Sequence, residues 1–314
     1  MRVLIKFCVM TGALFLSAFP VLAGEWREGA PSTTRQAFSA SALLGDEIYV
    51  AGGAGISTPQ SSFEAYDMIG DIWRSMPALP KGVQQAAMAT VNGRLYLSGG
   101  YHAESRGPDN ATFWMFDPSI GFWVQGPDMP GPRAWHQMVG VEGKVYVVGG
   151  VGSHPDRVFV FDPGTDSWET MTSRFPAARS ALALIVKGGD VIALGGRLTN
   201  GTATSRVDIL DLRTGKWRSG PALPEPRAGL GATVLDDEVH VVGGEQVSPP
   251  RTFSDHYVLD ADGVRWTQAE PLNTPRHGSA VAASGGRLFV VGGATGPGVY
   301  TVFTVSDLVS IYQP

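Results

Sequence analysis

The sequence predicts an all-β fold, a six-bladed β-propeller whose last blade is closed by the N-terminal strand. Three observations carry this. A glycine pair recurs at Gly52-Gly53, Gly99-Gly100, Gly149-Gly150, Gly195-Gly196, Gly243-Gly244 and Gly292-Gly293, at spacings of 47, 50, 46, 48 and 49 residues. An aromatic residue or Leu followed by Asp recurs at Tyr66-Asp67, Phe116-Asp117, Phe161-Asp162, Leu210-Asp211 and Leu259-Asp260, each Asp being followed six residues later by Trp73, Trp123, Trp168, Trp217 or Trp266. Gly (41) and Pro (22) supply a fifth of the 314 residues, a density that breaks helices and favours short strands joined by turns. A period of this length, sustained over the chain, marks a propeller or solenoid rather than the two domains that length alone suggests.

Each unit reads as four strands. A small-residue inner strand meets the apolar run before the glycine pair through a tight turn such as Asn92-Gly93 or Glu142-Gly143, a hairpin signal. The third strand ends at the Asp, a turn former, and Trp opens the outer strand as a large apolar anchor. The sixth unit lacks its Trp: after Gly292-Gly293 the chain reaches Ile311-Tyr312-Gln313-Pro314. An unmatched Trp26 stands near the other end, followed by Gly29 and Pro31 as in the other outer strands. Trp26 is therefore expected to begin the outer strand of the last blade, leaving the ring no open edge.

Residues 1–23 read as an export signal. Arg2 and Lys6 precede an apolar stretch, Phe7 to Phe19, too short to span a bilayer comfortably, and Val21-Leu22-Ala23 offers small residues for cleavage before Gly24. The expectation is a periplasmic or secreted protein with the propeller in residues 24–314 and no membrane span after cleavage. The one cysteine, Cys8, lies in the signal, so the exported chain has no thiol for disulfides, thiolate chemistry or metal binding. Net charge is −5, and −7 without Arg2 and Lys6, which argues against a nucleic-acid partner. The six His show no metal-ligand spacing, no nucleophile elbow or phosphate loop occurs, and no metal or cofactor is expected.

The glycine-pair, Tyr-Asp and Trp pattern, at this period and copy number, resembles the kelch family. The resemblance implies binding at the mouth formed by loops after the glycine pairs and by the starts of the inner strands. Directly after the pairs stand Ala54, Tyr101, Val151, Arg197, Glu245 and Ala294, a diversity suited to a ligand-facing ring. Arg starts the inner strand in five repeats, at Arg35, Arg133, Arg179, Arg227 and Arg276, with Val83 in the second. Such a series either caps carbonyls between blades or makes a funnel for anions. Two residues on, Ala37, Gln85, Trp135, Ala181, Gly229 and Gly278 face the narrow channel. Trp135 breaks that series, as a plug or as a stacking face for a sugar or a partner's aromatic side chain.

These residues suggest a monomeric binding module. Its mouth, lined by Tyr101, Trp135, Arg197, Glu245, Arg251 and Arg276, is expected to receive a protein loop or a small anionic sugar. The segment Gly244-Glu245 with Arg251-Thr252 is similar to the one that carries the catalytic Glu and Arg of bacterial N-acetylneuraminate epimerases (sialic acid mutarotases), exported six-bladed kelch propellers. That resemblance implies an alternative, enzymatic reading, with Glu245 as acid/base at the anomeric hydroxyl and Arg251 holding the substrate carboxylate.

Overall fold

A computed structural model describes residues 24–314; the expected signal, residues 1–23, lies outside the described residues. Six four-stranded antiparallel sheets follow one another around a central channel. Blade 1 runs Ala40–Leu44, Glu47–Ala51, Phe63–Asp67 and Ile72–Ser75 from the channel outward, and blades 2 to 5 repeat that order. In blade 6, Ala280–Ser284, Arg287–Val291 and Val309–Gln313 are completed by Glu25–Gly29, with Trp26 opposite Tyr312. The first and last described strands thus share one sheet, as the unmatched Trp26 predicts. In blades 2 to 6 the turns between first and second strands are left-handed at both central residues, as at Asn92 (φ 50°) and Gly93 (φ 76°), which matches the strand twist.

The glycine pair is a joint between blades. A Cβ on the first glycine would lie 2.3 to 2.7 Å from the carbonyl oxygen of the residue starting the next blade's inner strand, namely Val83, Arg133, Arg179, Arg227, Arg276 and Gln36 in turn. At Gly53, Gly100, Gly196, Gly244 and Gly293 the second glycine's N–H donates to that same oxygen, for example Gly53 to Val83 O at 2.8 Å and Gly244 to Arg276 O at 2.9 Å. Only an absent side chain permits this approach. At the rim, the outer-strand indoles fasten neighbouring blades: Trp26 Nε1 donates to Glu270 O (2.7 Å), Trp73 to Ala30 O (2.9 Å) and Trp168 to Pro127 O (2.8 Å).

The arginine series is structural, and its membership differs from the sequence expectation. Arg133, Arg179, Arg227 and Arg276 are at most 1% exposed. Each donates to the carbonyl of its own blade's first glycine, 16 residues on. The fifth expected member, Arg35, is instead an exposed side chain near Asp307, and buried Gln36 takes its place. Each buried residue has a matched partner on the third strand. Gln36 donates to Glu64 (2.7 Å), the Arg133 guanidinium lies 3.9 Å over the Phe159 ring and Arg179 pairs with Asp208 (2.8 Å). Arg227 sits 5.1 Å over Tyr257, and Arg276 donates to Ser310 Oγ (2.5 Å). Burial pushes the guanidinium pKa of Arg133, Arg179 and Arg276 down to about 10, still charged at neutral pH.

Candidate functional site

At the channel's mouth the backbone closes on itself. Phe38, Gln85, Trp135, Ala181, Gly229 and Gly278 are all left-handed, with φ between 51° and 63°. Each N–H donates to the carbonyl of its neighbour, around a complete circle of six hydrogen bonds of 2.8 to 3.0 Å. Four of the six are not glycine, and each holds a backbone conformation costing roughly 1 kcal/mol. Blade 1 contributes Phe38, one residue beyond the expected Ala37, because its repeat is anchored on Gln36. Phe38 and Trp135 meet edge to face across the ring, centroids 4.6 Å apart. Trp135 thus borders both the channel below, a cavity of about 150 Å³, and a mouth recess of about 310 Å³.

The residues following the glycine pairs pair back onto the inner strands, as Tyr101 does with Gln84 and Glu245 with Ala228. This places their side chains around the mouth. Tyr101, Trp135 and Arg197 come together on the recess. Burial and the nearby Asp109 raise the Tyr101 pKa, so its hydroxyl stays protonated. Glu245 is 2% exposed: one carboxylate oxygen accepts from Arg197 Nη2 (2.8 Å), the other from Gly298 N–H (2.8 Å). His277, also buried, has Nε2 2.9 Å from Gly296 O, so this nitrogen carries the proton, and Nδ1 stands 3.8 Å from Glu245.

Two expected mouth residues do not belong there. Arg276 is 1% exposed, and its guanidinium is spent on Gly292 O, Leu308 O and Ser310 Oγ. Arg251 lies on the hairpin Glu245–Val247/Pro250–Thr252, where it faces Gln246 while Glu245 faces Thr252. Successive strand residues point to opposite faces, so Arg251 turns away from Glu245. It lies over Phe253 near Glu225 and Asp255. The cation beside Glu245 is Arg197. Sequence reading missed Phe38, His277 and the Gly298 amide. The constant 16-residue offset to the first glycine, which selects Gln36 over Arg35, was the signal that would have found Phe38. Among the described residues no three His, Asp or Glu side chains gather as a metal site.

The six sheets, glycine joints and ring of inner-strand residues define a propeller whose one face presents a side-chain-lined mouth. Residues 22–196 and 135–311 match the KLHDC2/KLHL20/DRC7 Kelch-repeats domain, and the chain belongs to the kelch-repeat family. It is similar to the Kelch-like protein terF of Aspergillus terreus, 27% identical over 98% of this chain and 73% of that protein. It also resembles Kelch-like protein 35 of Mus musculus, at 27% identity over 77% of this chain, and beta-scruin of Limulus polyphemus, at 25% over 78%. The matches span only 40% and 29% of those two longer proteins. The solved structure of YjhT superposes with a TM-score of 0.76 at 20% identity, covering 90% of this chain and 96% of that one, a likeness of fold.

Proposed function

We propose that this chain is an exported, monomeric kelch propeller acting as a binding module, and that its mouth recess receives a carboxylate presented by a protein loop or by an anionic sugar. The observation that carries the reading is the convergence of Tyr101, Trp135 and Arg197 on one recess. Glu245 engages Arg197 through Nη2; its Nε and Nη1 have no hydrogen-bond partner among the described residues and remain for a ligand carboxylate. Trp135 adds an apolar face beside them. Among the described residues no helix is long and apolar enough to cross a membrane. The test is affinity capture from cell-envelope extract by the wild-type chain and by Trp135→Ala/Arg197→Ala. A partner held only by the wild type supports the reading; equal capture by both moves the site elsewhere.

Buried Glu245 favours a second reading, as the acid/base of a sialic acid mutarotase. With Arg251 on the opposite face of its hairpin, the substrate carboxylate in that reading falls to Arg197. Exchange between N-acetylneuraminate anomers, followed by NMR, decides it: no acceleration over the spontaneous rate, or full acceleration by Glu245→Gln, sinks the enzymatic reading.

A further inference from the structure

Two positions supply rings to the seams between blades. One, on the second strand three residues before the first glycine, holds Tyr49, Tyr96, Tyr146, Ile192, His240 and Phe289. The other, on the third strand of the following blade, holds Phe116, Phe161, Leu210, Leu259, Tyr312 and Tyr66 in the same order. Five of the six seams receive at least one ring, and three bring both together: Tyr96 with Phe161 (5.8 Å), His240 with Tyr312 (6.3 Å) and Phe289 with Tyr66 (6.1 Å). The seam between blades 4 and 5 has Ile192 and Leu259. Val207 also stands there where blades 1 and 2 have Phe63 and Phe113. Among the described residues Trp266 is accordingly the one outer-strand tryptophan with no aromatic partner.

At this seam a cavity of about 450 Å³ opens, floored by Ile192, Leu194, Val207, Ile209, Val239 and Leu259. Pro221, whose carbonyl accepts from Trp266 Nε1 (3.2 Å), lies in its wall. The volume falls in the roughly 300–1,000 Å³ range of small-molecule sites. The cations at its rim are already matched: Arg218 donates to Asp190 (3.0 Å), and Lys187 reaches Asp237 (3.1 Å) and Ala261 O (3.0 Å). Asp260 accepts from the Val264 and Arg265 amides and Asp262 is an exposed carboxylate, so among the described residues the rim offers no free cation to an anion and the apolar floor selects an uncharged guest.

We infer that the blade 4–blade 5 seam is a second ligand site, remote from the mouth, which takes a neutral compound with a flat apolar ring system of about indole size. The guest's ring supplies what the chain's own rings supply at the other five seams. The site depends on none of the mouth residues.

Indole is the probe, titrated by ligand-observed NMR against the wild-type chain, Leu259→Phe, Val207→Phe and the mouth variant Trp135→Ala. Leu259→Phe restores the ring that blades 2 and 3 carry at this position. Saturable wild-type binding, weakened at least tenfold in Leu259→Phe and retained in Trp135→Ala, supports the site. Val207→Phe fills the same floor from the other blade and serves if Leu259→Phe does not fold. No wild-type binding, binding indifferent to the filling variants, or binding lost in Trp135→Ala overturns it.

Discussion

Trp26 provides the sharpest test of how the ring is held shut. Its indole packs on Tyr312 (5.2 Å) and meets His256 edge-on (5.6 Å), and Nε1 donates to Glu270 O of blade 5. Complete removal of a buried Trp costs about 3–5 kcal/mol. This indole is half-buried and its acceptor is solvent-accessible, so Trp26→Ala is expected to cost about 2–3 kcal/mol. Starting the chain after residue 32 removes more. Five paired positions on Val309–Gln313 are lost, together with the Ala30 carbonyl that holds Trp73. At about 1 kcal/mol net per hydrogen bond, the truncation totals about 6–8 kcal/mol, comparable with the whole stability of a domain. Thermal denaturation followed by circular dichroism measures both. At roughly 2 °C per kcal/mol, Trp26→Ala should melt about 4–6 °C lower, and the truncated chain about 12–16 °C lower. A truncated protein with the wild-type midpoint refutes closure by the N-terminal strand as a source of stability.

Two other buried groups give quantitative expectations. Deleting the carboxylate in Asp208→Leu leaves the fully buried Arg179 guanidinium with only the carbonyls of Ala177, Ala193 and Gly195 and no countercharge, and should cost about 3–5 kcal/mol. Arg179→Met/Asp208→Leu should cost less than the sum of the single changes by urea denaturation, whereas additivity would show that the two groups do not depend on each other. His240 and His256, hydrogen-bonded at 2.8 Å in the blade 5–blade 6 seam, are pushed by burial down to about 4 and about 3. Unfolded, both titrate near 6.5, so their contribution is complete above that pH and is lost as pH falls towards 4, because the unfolded chain takes up protons that the folded one refuses. Stability should therefore drop by as much as about 2–3 kcal/mol per pH unit between 6 and 4.5. His240→Leu/His256→Leu should flatten that slope, and an unchanged slope would assign the acid sensitivity to other groups.

Much of the architecture was written in spacings. Glycine pairs at a constant period mark the joints because only glycine admits a neighbour's carbonyl so closely. The Asp-to-Trp offset marks five of the six outer strands, and the single unmatched Trp26 announces the closure. The aliphatic seam is the one place where both columns lack a ring, at Ile192 and Leu259. The mouth was legible only in part. Tyr101, Trp135, Arg197 and Glu245 were found because they depart from the repeat. Arg276 was misread because recurrence gives no sign of whether a guanidinium points to solvent or to the carbonyls of its own blade. Arg251 was misread because its six-residue distance from Glu245 is silent on hairpin register, and a single step along a strand reverses the face.

The repeat alone thus determined the blade number, the joints and the closing strand, since each is a local steric demand carried by a residue type at a fixed interval. Which charges meet was decided only in three dimensions. Glu245 lies between Arg197 of blade 4 and the Gly298 amide of blade 6, groups tens of residues away, and the ring that unites them exists only once six separate blades have turned through a full circle.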